Sequence, residues 1–252
     1  MSSFPEPRGE STSPGMEQIH DNLAAIQRRI RGAAASAARN PDTIRLIAVS
    51  KHMPAQSLLN AMAAGQFCFG ENYLQEALQK QVQLHDERIE WHFIGHLQTN
   101  KAKLAAGNFS WLHTMDSLKL ADKLAAAMTG TGQTLNVLLQ VNVANDPDKS
   151  GIAARNVPHF AEALLRADHP AIRLRGLMTI GLQQASKDER RAEFAAMRRL
   201  SETCGQQLGQ EFFTELSMGM SDDFELAIQE GATMLRIGSA IFGARPSVTQ
   251  NA

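Results

Sequence analysis

The regular alternation of short apolar segments with segments of helical periodicity constrains the fold of this chain more than any other feature. Eight apolar segments are predicted to be strands, and each is followed by a helix or a short helical remnant. The predicted strands span residues 44–50, 67–70, 91–95, 111–114, 135–143, 172–180, 211–217 and 234–238. Eight such units in 252 residues favour a single-domain α/β fold, the (β/α)8 TIM barrel, with a doubly wound open sheet as the alternative.

An extra helix is predicted before the first strand. Residues 16–38 carry apolar side chains at helical spacing, namely Ile19, Leu23, Ile26 and Ile30. Residues 1–15 contain no apolar stretch of the kind found in signal peptides, so we expect a disordered N-terminal tail there. We therefore assign residues 16–246 to the barrel and residues 247–252 to a C-terminal tail.

The charge and the cysteine content point to the cytoplasm. The 25 basic and 26 acidic residues give a net charge of −1, which offers nothing to attract nucleic acid or an anionic membrane. No apolar run is long enough to span a bilayer. Two cysteines, Cys68 and Cys204, are typical of a reducing compartment and do not suggest a disulfide framework. We expect a cytoplasmic protein without a nucleic-acid or membrane partner.

A lysine stands at the end of the first predicted strand. Side chains alternate across a strand, so Lys51 shares a face with Ile47 and Val49. A lysine at a strand end commonly extends its amine to water. In a (β/α)8 barrel, however, the chemistry is carried by the carboxyl ends of the strands, and Lys51 would then point into the mouth of the barrel.

Glycine and serine follow the seventh and eighth predicted strands, where barrels commonly bind phosphate. The first of these segments, residues 216–223, contains Ser217, and the second contains Gly238-Ser239. Glycine lets the backbone approach an anion closely, and a hydroxyl group donates a hydrogen bond to it. Ordinary helix caps would explain either segment alone, but the two together predict a phosphate site.

Three further residue types bear on the site. Arg236, within the apolar eighth strand, is costly to bury, so it either pairs with a neighbouring strand or faces a ligand. Asn72, after the second strand, either caps a helix or faces the ligand. His92 and His96 have the spacing of some metal sites, but they lie on a strand and a turn without an intervening glutamate. We therefore predict no metal site.

A lysine, a phosphate site and an arginine in one barrel mouth are typical of Schiff-base chemistry. A lysine amine condenses with a carbonyl when burial or neighbouring cations lower its pKa. Two ligand classes fit, namely pyridoxal 5′-phosphate (PLP), an aldehyde that carries its own phosphate, and a phosphorylated sugar, as in a Schiff-base aldolase. The sugar is disfavoured because the chain offers no recognisable set of ligands for sugar hydroxyls.

A series of short segments resembles, in order, the pyridoxal phosphate homeostasis protein family. The resemblance extends from about residue 44 to residue 245. The segments are Ala48-Val49-Ser50-Lys51, Phe69-Gly70-Glu71-Asn72-Tyr73, Trp91-His92-Phe93-Ile94-Gly95 with Leu97-Gln98, Gln140-Val141-Asn142, Lys149-Ser150-Gly151, Arg175-Gly176-Leu177-Met178, Leu216-Ser217-Met218-Gly219-Met220-Ser221 and Arg236-Ile237-Gly238-Ser239-Ala240-Ile241-Phe242-Gly243. The resemblance implies a PLP barrel of fold type III, similar to the N-terminal barrel domain of alanine racemase.

The resemblance also implies a role for each candidate site residue. Lys51 matches the lysine that holds PLP as an internal aldimine, and Arg236 matches the residue that faces the pyridine nitrogen. The phosphate-binding positions are matched by Ser217, Gly238 and Ser239, and a position near the cofactor is matched by Asn72. The chain departs from the family in having His52-Met53 where Thr-Lys often follows the first lysine, so any role of that second lysine in cofactor release is not carried over.

Proteins of this family resemble carriers or regulators in vitamin B6 and amino-acid homeostasis more than catalysts. We expect PLP and amino acids as ligands, apo PLP enzymes as candidate partners, and a monomer or a weak dimer. The alternative is an amino-acid racemase of the alanine racemase type. Such racemases use a tyrosine base from a second β domain, whereas the single tyrosine of this chain, Tyr73, follows the second strand. We therefore assign no catalytic residue and expect at most weak racemase activity.

Overall fold

The computed structural model describes residues 15–144, 150–182 and 184–243. The predicted tails lie outside these residues except for Gly15, and so does Lys149 of the segments that resemble the family. No structural outcome is therefore assigned to the tails.

Eight parallel strands close into a barrel, as predicted. They are β1 (Arg45–Val49), β2 (Cys68–Glu71), β3 (Glu90–Phe93), β4 (Trp111–Met115), β5 (Leu135–Asn142), β7 (Ile172–Met178), β8 (Glu215–Ser217) and β9 (Met234–Ile237), with a two-residue strand, β6 (Ile152–Ala153), added beside β5. The order around the barrel follows the chain, and β9 pairs with β1 to complete the circuit. This closure rules out the doubly wound open sheet.

The helices follow the strands in alternation. They are α1 (Met16–Ser36), α2 (Ala55–Ala63), α3 (Leu74–Gln83), α4 (Ala102–Ala105), α5 (Leu118–Met128), α6 (Val157–Arg166), α7 (Lys187–Leu208), α8 (Phe224–Gln229) and α9 (Ser239–Phe242). The predicted bounds of α7 are confirmed, and its start is fixed by a capping box in which Ser186 and Glu189 exchange hydrogen bonds. Within the described residues, no helix is long and apolar enough to cross a membrane.

Two of the predicted elements are shortened the most in the structure. The strand predicted over residues 211–217 is reduced to β8, because its first part forms a 3-10 turn at Gln210–Phe212. The carbonyl oxygen of Phe213, just after this turn, accepts a hydrogen bond from Ser201 of α7. Phe212 and Phe213 therefore pack on a helix and do not extend the sheet. The helix predicted over residues 99–106 is a 3-10 turn, Thr99–Lys101, followed by the single turn α4.

Buried apolar side chains form two separate groups, because strand side chains alternate between the inside and the outside of the barrel. The larger group lies between the strands and the helices, and it includes the apolar face of α1 that the sequence predicts. The smaller group is Ile47, Trp111, Leu138, Met178 and Met234, contributed by five different strands. This second group fills the barrel interior below the carboxyl ends of the strands.

Candidate functional site

A cavity of about 460 Å³ opens at the carboxyl ends of β1, β8 and β9. This volume is in the range of small-molecule sites. Five of the six predicted site residues line the cavity, namely Lys51, Asn72, Arg236, Gly238 and Ser239. The sixth, Ser217, lies below it. Sequence segments up to 188 positions apart, from Lys51 to Ser239, therefore converge here.

Lys51 lies two residues beyond the end of β1 and lines the cavity. Ile47 belongs to the group that fills the barrel and Val49 lines the cavity, so the side-chain alternation that predicts an inward Lys51 is seen in the strand. The backbone turns sharply at His52, whose φ of 64° is in the left-handed region. The backbone N–H of His52 donates to the Glu76 carboxylate at 2.6 Å, which holds the turn.

A buried ionic cluster supports this turn from below. The Lys80 amine donates to the Ser50 carbonyl at 2.7 Å, to Glu71 at 2.7 Å and to Glu76 at 2.6 Å. Burial raises the pKa of Glu71, while the charge of Lys80 and the hydrogen bonds from Lys80 and Ser50 oppose that effect. The sequence analysis missed this cluster, although the spacing of Glu76 and Lys80 on one helix face was a visible signal.

Asn72 faces the cavity and does not cap a helix. Helix α3 begins at Leu74, and its N-cap is Tyr73. The Asn72 side-chain oxygen is buried without a hydrogen-bond partner among the described residues. The backbone of Asn72 lies so close to Gly95 that a Cβ at Gly95 would overlap the Asn72 carbonyl. Glycine at 95 therefore allows the loop to bring this amide to the cavity.

Two serine hydroxyl groups lie side by side at the cavity, on the loops after β8 and β9. The Oγ of Ser239 is 3.2 Å from the Oγ of Ser221, and Ser221 also lines the cavity. The turn that leads to Ser221 requires glycine at 219, because its φ is 91° and a Cβ there would lie 2.6 Å from that of Ala227. Ser221 belongs to the segment 216–221 that resembles the family, but it was not among the predicted site residues.

Ser217 occupies a different position from the predicted one. Its hydroxyl is fully buried, accepts a hydrogen bond from an Arg236 guanidinium nitrogen at 2.6 Å, and lies 2.9 Å from Nδ1 of His113. The Ser217 side chain therefore lies in the barrel interior, below the cavity. Ser221, four residues later, lines the cavity and joins the candidate phosphate residues, while a phosphate contact by Ser217 stays a prediction.

Arg236 is buried and has no direct ionic partner among the described residues. A second guanidinium nitrogen donates to the Thr179 carbonyl at 2.7 Å. Of the two alternatives raised for Arg236, the salt bridge to a neighbouring strand is therefore not formed within the described part of the chain. Burial lowers the pKa of Arg236 to about 10, which leaves the guanidinium charged at neutral pH. Arg236 thus brings a fixed cation to the cavity.

The histidines of the third strand region do not form a pair. His92 is fully buried in the barrel, whereas His96 is exposed and lies 3.9 Å from Asp116. The ligand atoms of Cys68, Glu90 and His92 do lie within 4.8 Å of one another. The Arg45 guanidinium, however, is already 3.2 Å from the Glu90 carboxylate and supplies the positive charge there.

The thiol in this group is also unsuited to a metal as it stands. Burial and the charge of Glu90 raise the pKa of Cys68 to about 11, so the thiol is protonated near neutral pH.

His113, which hydrogen-bonds to His92 at 2.9 Å, was not predicted from the sequence. The alternation in β4 was the signal for it, because Trp111 fills the barrel and His113 shares its face.

Comparison with known proteins places the chain in a family. Residues 22–246 match the family model described as alanine racemase, N-terminal domain. The pyridoxal phosphate homeostasis protein of Pseudomonas aeruginosa is 48% identical over 230 residues, which cover 91% of this chain and 97% of the relative. The protein of the same description from Escherichia coli K12 is 42% identical over 234 residues, with 91% and 98% covered.

Solved structures also resemble this chain. PipY of Synechococcus elongatus PCC7942 is 38% identical, with 89% of this chain and 100% of PipY covered. Its TM-score is 0.80 for the structure without PLP and 0.78 for the structure with PLP bound. Alanine racemase from Corynebacterium glutamicum, at 19% identity and a TM-score of 0.67, shares the fold over 63% of its own length. The chain therefore belongs to the pyridoxal phosphate homeostasis protein family.

Proposed function

We propose that this chain binds PLP in the cavity at the barrel mouth, holds it as an aldimine on Lys51, and serves PLP and amino-acid homeostasis in the cytoplasm. The observation that carries the proposal is that three chemically distinct groups line one cavity. They are the amine of Lys51, the hydroxyl pair of Ser221 and Ser239, and the guanidinium of Arg236. PLP carries an aldehyde, a phosphate and a ring nitrogen, which match these three groups in turn.

The lining of the cavity fits such a ligand in two further respects. The buried Asn72 oxygen has no hydrogen-bond partner among the described residues, so a ligand with a polar group beside it would offset the cost of its burial. Position 238 is a glycine, and a Cβ there would lie 3.1 Å from the Val49 carbonyl oxygen and would narrow the cavity beside Lys51. In support, the related PipY, at 38% identity, has been solved with PLP bound.

The site favours a carrier over a racemase. Bound PLP supplies an electron sink, and that sink is strong only when the ring nitrogen is protonated. Arginine only donates hydrogen bonds, so a ring nitrogen that faces Arg236 must accept one and remain unprotonated. The single tyrosine, Tyr73, is 50% exposed, packs on His52 with ring centroids 5.0 Å apart, and does not line the cavity. Neither feature supports rapid removal of an α-proton.

Chemical trapping tests the proposal. The protein is loaded with PLP, reduced with borohydride and digested, and the peptides are mapped by mass spectrometry. We expect the pyridoxyl group on Lys51 in the wild type and in the control Lys103→Ala, which changes an exposed lysine of α4. Lys51→Ala should retain its fold and lose the adduct. Labelling at another lysine, or undiminished labelling of Lys51→Ala, would refute the proposal.

A further inference from the structure

A chain of four hydrogen bonds crosses the barrel interior from the cavity to the amino end of β3. Its members, in order, are Arg236, Ser217, His113, His92 and Glu90, with separations of 2.6, 2.9, 2.9 and 2.7 Å. We propose that this interior chain positions the Arg236 guanidinium for the ring nitrogen of PLP, which makes Glu90 a positioning residue at the far end of the barrel. The inference rests on the proposed function.

The two ends of the interior chain determine the direction of every hydrogen bond within it. Arginine can only donate, and an ionised carboxylate can only accept. Ser217 therefore accepts a hydrogen bond from Arg236 and donates one from its own O–H to Nδ1 of His113. His113 then donates from Nε2 to Nδ1 of His92, and His92 donates from Nε2 to Glu90. Each imidazole must carry one proton, on Nε2.

The protonation states required by this direction agree with the surroundings of each group. Burial lowers the pKa of His92 and places that of His113 well below its ordinary value, so both rings are neutral near pH 7. Partial burial works to raise the pKa of Glu90, but the hydrogen bond from His92 and the nearby charge of Arg45 oppose that effect, and the pKa is lowered. Glu90 is therefore ionised, and it can accept from His92.

The interior chain presents a series of aligned dipoles to Arg236. Each donor in the chain points away from the guanidinium, so the negative end of each dipole faces Arg236 and the positive end faces Glu90. Hydrogen bonds aligned in this way polarise one another in a buried environment. The Asp223 carboxylate acts on the Arg236 charge without contacting it, and the interior chain adds its aligned dipoles to that effect.

The consequence for the cavity is geometric. Two guanidinium nitrogens of Arg236 are committed, one to Ser217 and one to the Thr179 carbonyl. A planar guanidinium held at two nitrogens cannot rotate, so its remaining N–H groups have one direction toward the cavity. If the acceptor His113 is removed, the Ser217 hydroxyl can reorient, and the hydrogen bond that it accepts from Arg236 weakens. Ligand binding should then weaken although no residue of the cavity wall has changed.

Nuclear magnetic resonance of the histidine rings tests the chain without any cofactor. Uniformly 15N-labelled apo protein at pH 7 is examined by long-range 1H–15N correlation, and the rings are assigned from His92→Gln and His113→Gln. We expect both rings to be neutral, with the proton on Nε2 and a bare Nδ1. A proton on Nδ1 of either ring would overturn the proposal. This measurement stands even if PLP binding at Lys51 is refuted.

Substitutions at the far end test whether the chain acts on the cofactor site. Glu90→Gln keeps an acceptor oxygen, and we expect its affinity for PLP to stay within about twofold of the wild type. Glu90→Leu removes the acceptor and should weaken PLP binding by roughly tenfold, with a change in the visible absorbance of the bound cofactor. Because Glu90→Leu also breaks the ion pair with Arg45, the matched control is Arg45→Gln, which breaks the same pair and leaves the chain intact.

The comparison among these variants decides whether the interior chain positions Arg236. Wild-type affinity and absorbance in Glu90→Leu would refute a positioning role. Equal weakening in Arg45→Gln and Glu90→Leu would also refute it, because the ion pair and not the interior chain would then be responsible. If Glu90→Leu does not fold, the PLP affinity of Glu90→Gln and the histidine tautomers of the wild type still test the proposal. A wild-type ring that lacks the proton on Nε2 contradicts the chain directly.

Discussion

The amine of Lys80 lies 2.7 Å from the carboxylate of Glu71, and both side chains are buried, with 6% and 0% of their surfaces exposed. The same amine donates to the carbonyl of Ser50, the residue before Lys51. A charge pair inside the protein thus holds the backbone from which the candidate Schiff-base lysine projects. Neither partner lines the cofactor cavity, so the pair acts on the site through the backbone alone.

We expect Lys80→Met to destabilise the protein by about 3–5 kcal/mol, because it leaves the buried Glu71 carboxylate without its partner. The free energy of unfolding is measured by denaturant titration at pH 7. The matched control is Lys103→Met, which changes an exposed lysine and should alter stability by less than about 0.5 kcal/mol. Similar stabilities of the two variants would show that the Lys80–Glu71 pair contributes little.

Stability should fall as the pH drops below about 6.5, the ordinary pKa of histidine. Burial lowers the pKa of both His92 and His113, so below this pH the unfolded chain binds protons that the folded chain does not. Each ring then reduces the free energy of unfolding by up to about 1.4 kcal/mol per pH unit. Unfolding titrations between pH 7 and pH 5 measure the slope.

A variant pair isolates the contribution of the buried rings to this slope. His113→Gln removes one of the two buried titrating groups, and the slope below pH 6.5 should fall by about half whatever the variant's stability at pH 7. Ser36→Ala, at an exposed position without a titrating side chain, should leave the slope unchanged. An unaltered slope in His113→Gln would contradict the assignment of a neutral, buried ring.

The double variant Ser221→Ala with Ser239→Ala should bind PLP far more weakly than the wild type. Each hydroxyl would donate to a charged phosphate, a contact that contributes on the order of 1.5–3 kcal/mol. The PLP that remains after dialysis is measured by absorbance. Ser36→Ala, on the exposed face of α1, is the control. Full retention in the double variant would mean that the phosphate binds elsewhere.

Two glycine substitutions should act in opposite directions. Gly95→Ala forces a Cβ into the carbonyl of Asn72, and we expect a loss of about 1–3 kcal/mol of stability together with weaker PLP binding. Gly32→Ala, within α1 and with open space around its Cβ position, should stabilise the protein by roughly 0.5–1 kcal/mol. Melting curves and PLP titrations of both variants test this. Unchanged PLP affinity in Gly95→Ala would contradict a role for the Asn72 loop.

The PLP-loaded protein should exchange the α-proton of an amino acid slowly. L-Alanine is incubated with it in deuterated water, and α-deuterium and D-alanine are followed by NMR. In the proposed site the ring nitrogen faces Arg236 and stays unprotonated, and Tyr73 does not line the cavity, so both features oppose rapid exchange. Exchange at roughly 1 s⁻¹ or faster, as is typical of enzymes, would favour the racemase alternative.

Much of the site follows from sequence because it depends on strand alternation. Once 44–50 is assigned as a strand, the inward direction of Lys51 follows from that of Ile47, and the same reasoning places Arg236 on the face of Met234. Ser217 shows the limit of this reasoning. The predicted strand and β8 both end there, but the sequence did not show that the Ser217 hydroxyl meets His113 and Arg236 in the barrel interior while Ser221 lines the mouth.

The sequence by itself determined the architecture, because eight alternating apolar and helical segments have few ways to bury their apolar faces, and closing the sheet leaves no exposed edge. It also determined which loops form the mouth. Only the tertiary structure decided which polar side chains meet. Ser217 and His113 are 104 positions apart, and Lys80 reaches Ser50 across 30. Such contacts depend on the shear and packing of the barrel, since a polar group inside it must find its partner on another strand or helix.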